Sequence, residues 1–289
     1  GIAHLPLHGG RTPAWLFGRM KKLAREIARL ILYDFGPEEL LRRLSDPFWF
    51  QAFGCVLGFD WHSSGLTTTT CGALKEGLRG MEHEIGFFIS GGKGRVSRRT
   101  PDEILGHSRH LTVNPESLVY ASRMSAKVDS AAVQDGYHLY HHVFFFDRHG
   151  RWAVVQQGLN DENRYARRYH WLGIEKVDFV CEPHRAVCCE RKALTLNLVA
   201  REGEENRKIS AGIASEHPER IIEEFKKMRI LRLPERHDVT PDLISPEYFH
   251  RILLKTYDKQ PGSFESLLGI EGVGSKTLRA LSLMAELIY

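Results

Sequence analysis

HLYHHVFFFDRHGRWAVVQQ, residues 138–157, is the stretch from which the fold is read. The hydrophobic period is two from His138 to Phe146, Asp147-Arg148-His149-Gly150 has turn chemistry, and Trp152 to Gln157 returns as a second strand. Pairing Phe146 with Trp152 sets His142 opposite Gln156 and His141 opposite Gln157. One end of this hairpin is therefore polar on both faces, and it is the end that adjoins Asp135.

Just upstream, Met124, Val128, Ala131 and Ala132 trace an apolar helix face, and Gly136 is a C-terminal stop. Asp135 then falls in the last turn, at the negative end of the helix dipole, where a carboxylate seeks a cation. Lys127 and Asp129 lie within the two preceding turns. Asp129, Asp135, His141, His142 and Gln157 are thus expected to converge. An oxygen and imidazole donor set with an open position suits Mg²⁺ or Mn²⁺, which activates water and neutralises the leaving oxygen in phosphodiester cleavage. In that reading Asp129, Asp135, His141 and His142 hold the metal, Gln157 positions the attacking water or a phosphate oxygen, and Lys127 neutralises charge on the scissile phosphate. The competing reading is a set of hydrogen-bonded polar residues at a strand end.

The residues before this unit read as core helices. Thr12 and Pro13 start an amphipathic helix carrying Trp15, Met20, Leu23, Ile27, Leu30 and Ile31 up to Gly36, a short helix spans Pro37 to Leu44, and Ser45-Asp46-Pro47 restarts another. The aromatic run from Phe48 to Phe59 is expected to be buried. DWHSSG (60–65) leads through Thr67–Thr70 into a helix over 71–78, whose start offers either a phosphate site or an ordinary Ser/Thr cap. Ile85 to Ile89 reads as a strand running into SGGKGRVSRR (90–99), a flexible basic loop with Lys93, Arg95, Arg98 and Arg99 that lacks the order of a P-loop. Thr100-Pro101 opens the next helix.

Beyond the hairpin, Asn160 to Trp171 reads as a helix whose Arg164, Arg167 and Arg168 form a stripe able to track phosphates. Cys181-x-x-His184-x-x-x-Cys188-Cys189 is too compressed for an ordinary zinc site, so Zn²⁺ is not expected there. Arg191 to Ile213 and Pro218 to Met228 read as charged helices, and Pro234 to Pro246 as a linker.

Length and composition bound these readings. At roughly 150 residues per domain, 289 residues suggest two units, and 42% hydrophobic with 26% charged residues indicates a globular chain. Forty Lys and Arg against thirty-six Asp and Glu leave +4, too little to indicate nucleic acid by itself. The longest apolar candidate, Trp15 to Phe35, carries Arg19, Lys21, Lys22, Arg25, Glu26 and Arg29, so no membrane span is expected. Five cysteines and an opening without signal-peptide character suggest a reducing cytoplasm.

The C-terminal stretch is more specific. Phe264-x-x-Leu267-Leu268 is a short helix, Gly269-Ile270-Glu271-Gly272-Val273-Gly274 a tight turn, and Ser275 to Ile288 a second helix. The string Gly-Val-Gly-Ser-Lys-Thr-Leu-x-x-Leu resembles the helix-hairpin-helix DNA-binding motif. Gly272 and Gly274 permit φ > 0 and expose backbone N–H groups, Val273 anchors the turn, the second helix directs its positive end at a phosphate, and Lys276 adds a cation. The resemblance implies sequence-independent contact with a DNA backbone. Glycosylases with this motif place a catalytic Asp after the second helix, and here none follows.

The segments LPLHGGRTPAWL, LSDPFWFQAFGCVLGFDWHSSG, GGKGRVSRRTP, AKVDSAAVQDGYHLYHH and WAVVQQGLNDENRYARRYHW resemble domain-of-unknown-function family seven-six-three of archaea and thermophilic bacteria, across nearly the whole chain. That resemblance implies a DNA-processing role and carries over no catalytic residue. Because members continue further and no initiator Met is present, a trimmed sequence is expected.

The expected fold is α/β (α+β): a mixed body with a small antiparallel sheet over 1–233, a linker over 234–246 and a helical DNA-binding domain over 247–289. The expected function is metal-dependent DNA cleavage, structure-selective, in processing or repair. The alternative is a noncatalytic protein that recognises branched or single-stranded DNA. A third reading has GGKGR and HSSG holding a nucleotide. The expected partner is DNA rather than a membrane, and homodimerisation is left open.

Overall fold

Met20, Ala24, Ala28 and Ile31, three or four residues apart, form the buried stripe of α1 (Ala14–Ser45), which kinks at Gly36 ahead of Pro37. Asp46 then accepts hydrogen bonds from the Phe48 and Trp49 N–H groups and, with Pro47, starts α2 (Pro47–Val56). The aromatic run divides here: Phe50 and Phe53 are buried, whereas Phe48 is 82% exposed. A helix turns successive residues by about 100°, so it cannot hide a continuous run on one face. The computed structural model describes residues 3–7, 10, 12–190, 194–228 and 244–289. In it α3 (Ser64–Leu78) starts well before Cys71, and α4 (Glu82–Ile85), α5 (Thr100–Gly106) and α6 (Pro115–Lys127) follow.

The strands in chain order are β1 (Phe87–Lys93), β2 (Val133–Gln134), β3 (His138–Asp147), β4 (Trp152–Asn160), β5 (Tyr165–Gly173), β6 (Ala186–Cys188) and β7 (Leu196–Asn197). The later helices are α7 (Glu204–Ala214), α8 (Pro218–Met228), α9 (Pro246–Lys259), α10 (Phe264–Gly269) and α11 (Ser275–Leu287). The fold is mixed α/β with an antiparallel sheet. None of the described helices is long and apolar enough to cross a membrane.

The chain divides into two compact units. The first comprises Gly1–Ala126, Gly136–Val177 and His184–Lys192. Its sheet runs β1-β3-β4-β5-β6. Phe146 pairs with Trp152, His142 with Gln156 and His141 with Gln157, the register the sequence predicts. One face, with Ile89, Val143, Phe145, Ala153 and Val155, packs into the core formed by α1, α2 and α3. The other carries Phe88, Phe144 and Phe146 as a buried aromatic row.

The second unit comprises Lys127–Asp135, Asp178–Pro183 and Ala193–Tyr289. It contains the two-stranded ribbon β2-β7 and the helices α7 to α11, with Phe225 of α8 against Phe249 of α9 at a 4.8 Å ring separation. The segment 247–289 thus shares its unit with α7 and α8.

Several local expectations are corrected. Residues 160–171 are not a helix: the Asn160 side chain accepts the Glu162 and Asn163 N–H groups, Arg164 takes φ 59°, and the chain reverses into β5. Ser90 to Lys93 belongs to β1 rather than to a flexible loop. Gly91 makes that pairing possible, since a Cβ there would lie 2.3 Å from the His142 carbonyl oxygen, and its φ is +93°. Lys93 ends the strand, and Arg95, Arg98 and Arg99 stand exposed on a 3₁₀ turn over Gly94–Arg99. The helix expected to reach Gly136 ends at Lys127, a wider π turn covers Val128–Ala132, and Val133 pairs with Asn197. Asp135 therefore follows a strand and does not sit on a helix dipole. The helix expected from Arg191 begins at Glu204, because Leu196 and Asn197 are taken into the ribbon; residues 191–193 lie outside the described set. The expected linker also falls outside it, apart from residues 244–246.

Candidate functional site

Neighbouring side chains on a strand point to opposite faces, and this separates the predicted ligands His141 and His142. His142, 6% exposed, uses both ring nitrogens: Nδ1 donates to Gln156 Oε1 at 2.8 Å and Nε2 accepts from Ser122 Oγ at 2.9 Å. Gln156 completes the network by donating to the Ser125 carbonyl at 3.2 Å. Burial pushes the His142 pKa down to about 4, so the ring is neutral at neutral pH. Its nitrogens have no lone pair to give a metal without breaking that network.

His141 faces the helices α1 to α3. Among the described residues neither of its ring nitrogens has a hydrogen-bond partner, although the side chain is only 2% exposed. Burial, reinforced by His142 and Lys93, pushes its pKa down to about 3. A bulge between Leu139 and His141 leaves Tyr140 as the extra residue, so Tyr140 and His141 border the same cavity of about 1030 Å³. Gln157 faces α3, donating to the Ser64 carbonyl at 2.9 Å and to the Tyr140 hydroxyl.

Asp129 and Asp135 are both buried, and both are engaged in polar interactions within the fold. They belong to the second unit, while His141, His142 and Gln157 belong to the first. No group of three or more His, Cys, Asp or Glu side chains able to hold a metal is gathered among the described residues, including around Cys181, His184, Cys188 and Cys189. The donor set expected for Mg²⁺ or Mn²⁺ is therefore not gathered among the described residues.

The arginine stripe is also dispersed. Arg167, 6% exposed, lies over the Tyr137 ring at 4.3 Å. Arg168 is 1% exposed on the opposite face. Its Nε donates to His170 Nε2 at 2.9 Å, and its Nη1 to Gln51 Oε1 at 2.9 Å and Thr67 Oγ1 at 3.3 Å. It also sits over the Phe50 ring at 4.9 Å and hydrogen-bonds Cys188. His170 Nδ1 donates to the Leu44 carbonyl at 3.1 Å, which leaves Nε2 bare to accept from Arg168. A cation so enclosed is structural and cannot reach a phosphate. The alternation Tyr165, Arg167, Tyr169, Trp171 was the available signal for a strand.

The start of α3 is a capped helix. Ser64 N–H donates to the Pro6 carbonyl, Gly65 N–H to Ser63 Oγ and Leu66 N–H to the Ser63 carbonyl, so its first donors are engaged.

The hairpin between α10 and α11 is arranged differently. Ser263 and Ser266 close a capping box on α10, Val273 is fully buried, and Gly272 takes φ +93°. Gly274 is extended at φ −131°, so one glycine rather than two needs the left-handed region. The carbonyls of the turn are taken up inside the unit: Tyr248 Oη donates to Gly272 O at 3.1 Å, Lys127 Nζ to Val273 O, and Gln134 Nε2 to Ser275 O at 2.8 Å. Arg279 Nε holds Gln134 from the other side at 2.9 Å. Among the described residues no side chain caps α11, whose first N–H groups have no acceptor within the helix, and Lys276 is exposed beside them. Three carbonyls of the turn region thus have side-chain donors, whereas the first N–H groups of α11 have no side-chain cap among the described residues. Lys127, assigned to catalysis from the sequence, braces this turn instead; no sequence pattern signals a contact with Val273.

A family model described as protein of unknown function (DUF763) matches residues 1–289. No curated protein and no solved structure matches the chain.

Proposed function

We propose that this chain, which belongs to the DUF763 family over residues 1–289, is a DNA-binding protein. Its Ile270–Gly274 turn acts as a helix-hairpin-helix phosphate clamp. The observation that carries the reading is the sorting of hydrogen-bonding groups at the turn. Tyr248, Lys127 and Gln134 occupy carbonyls of Gly272, Val273 and Ser275, while the α11 N-terminus has no side-chain cap. Uncapped N–H groups, the positive end of a helix and the exposed Lys276 together favour a phosphate oxygen and read no base. Glu271, exposed on the same turn, opposes this and tunes it.

The noncatalytic reading is placed ahead of metal-dependent cleavage because the donors for a metal are not gathered among the described residues. Labelled single-stranded, duplex, flap and bubble DNAs, each with Mg²⁺, Mn²⁺ or EDTA, test both. Binding without cleavage is expected. Gly274→Ala is the decisive variant, since a Cβ there meets nothing within 4 Å and the backbone is extended. The methyl stands where a phosphate approaches, so affinity for unrelated sequences should drop about tenfold, roughly 1.4 kcal/mol, with the melting temperature unchanged. A folded Gly274→Ala protein that binds like the parent removes the hairpin from the account.

A further inference from the structure

The large cavity of the first unit is separate from the hairpin. Its floor is the end of the sheet where β1 pairs Lys93 with His141, and its wall is the start of α3. His141 borders it at 2% exposure, and neither of its ring nitrogens has a hydrogen-bond partner among the described residues. A buried polar atom with no partner is uncommon in folded proteins, because it forfeits its hydration without return. Neutral imidazole offers one donor and one acceptor, so His141, at the border of the cavity, holds a hydrogen-bonding pair that no described residue uses.

The remaining lining is of mixed character. Lys93 ends β1 exposed, with its Nζ 5.8 Å from the Tyr140 ring centroid, and makes no ion pair among the described residues. Lys75, by contrast, is committed: it pairs with Glu103 at 2.7 Å and donates to the Gly91 carbonyl at 2.8 Å, fixing the strand end. The Tyr140 phenol, its pKa raised by burial, stays protonated. Phe17 and Phe59 supply aromatic surface, and Asp60 supplies an acceptor suited to a hydroxyl or amino group. A cation at the rim, aromatic walls and hydrogen-bonding groups at depth match a phosphate ester carrying a planar base.

We propose that this cavity binds a nucleoside monophosphate, with Lys93 on the phosphate and His141 hydrogen-bonded within. The same chemistry comes as a free nucleotide or as the 5′-phosphorylated end of a strand. Binding is measured by calorimetry and thermal shift with dAMP, deoxyadenosine, inorganic phosphate, and a short single strand with or without a 5′-phosphate. Either dAMP or the phosphorylated strand should bind at micromolar to submillimolar concentration. A response to the strand but not to dAMP identifies a strand end. Lys93→Ala should weaken the phosphorylated ligand at least tenfold. His141→Leu should abolish binding while the melting temperature holds or rises, because the substitution removes an unpaired polar group. If His141→Leu does not fold, the exposed Lys93→Ala decides. Absence of binding by every probe at millimolar concentration overturns the proposal, as does binding undiminished in Lys93→Ala.

Discussion

Lys127 Nζ donates to the carbonyl of Val273, a contact spanning 146 residues of chain within the second unit. Burial lowers the pKa of this lysine and Glu271 opposes that effect, so the ammonium is held inside the unit as a brace. Lys127→Met removes it. Stability should fall by about 1–2 kcal/mol, and DNA affinity should fall with it as the turn loosens. Urea denaturation and anisotropy titration check the two effects together; full stability with intact affinity would show the contact to be dispensable.

Glu271→Gln removes the carboxylate beside the donors of the turn. Affinity for DNA should rise severalfold at low salt and the gain should shrink as salt increases, since an exposed charge is screened. Titrations at two ionic strengths are sufficient, and lower affinity in the variant contradicts the assignment of the turn.

Arg95, Arg98 and Arg99 are exposed together on the turn after β1, whereas Arg167 and Arg168 are buried. Each exposed arginine that meets a phosphate contributes about 0.9 to the slope of log affinity against log salt on duplex DNA. Changing all three to Gln should lower the slope by about two to three units at unchanged melting temperature. An unaltered slope makes them ordinary surface charges.

Arg168 is a buried cation whose described partners are neutral side chains, and Gln51 Oε1 is one of the closest. Gln51→Leu leaves that guanidinium short of an acceptor and should cost about 2–3 kcal/mol. Thr67→Val removes a longer bond and should cost about 1 kcal/mol. Denaturant midpoints order the two variants, and the reverse order would displace Gln51 as the main partner.

His141 and His142 have folded pKa values near 3 and 4, against an ordinary 6.5. Both are depressed, so the unfolded chain binds protons that the folded chain refuses. Their contribution to stability is complete above about pH 6.5 and is lost as pH falls toward 4, at about 1.4 kcal/mol per pH unit for each histidine. Urea midpoints from pH 7 to pH 4.5 should decline accordingly, and His142→Gln should decline less steeply. Equal slopes would mean that other groups govern the acid limb.

Much of the sheet was determined by the sequence itself. The two strand-forming runs and the turn at 147–150 set the β3-β4 register, in which Phe146 pairs with Trp152. The helix start at Asp46 was likewise written in local capping chemistry, and that of α5 in Pro101 with the acidic first turn Asp102 and Glu103. What tertiary structure decided was the use of each polar residue. Arg164, Arg167 and Arg168 have the spacing of one helix side, yet after an Asx turn at Asn160 the chain runs as a strand in which Arg167 and Arg168 are buried. His141 and His142 are neighbours in sequence, but His142 satisfies both nitrogens under α6 whereas His141, at a cavity wall, has no hydrogen-bond partner among the described residues. Lys127 was legible as a cation, not as the brace of a turn 146 residues away. Local sequence fixes backbone preference over a few residues, whereas the partner of a buried polar group is chosen by whichever distant segment the core brings against it.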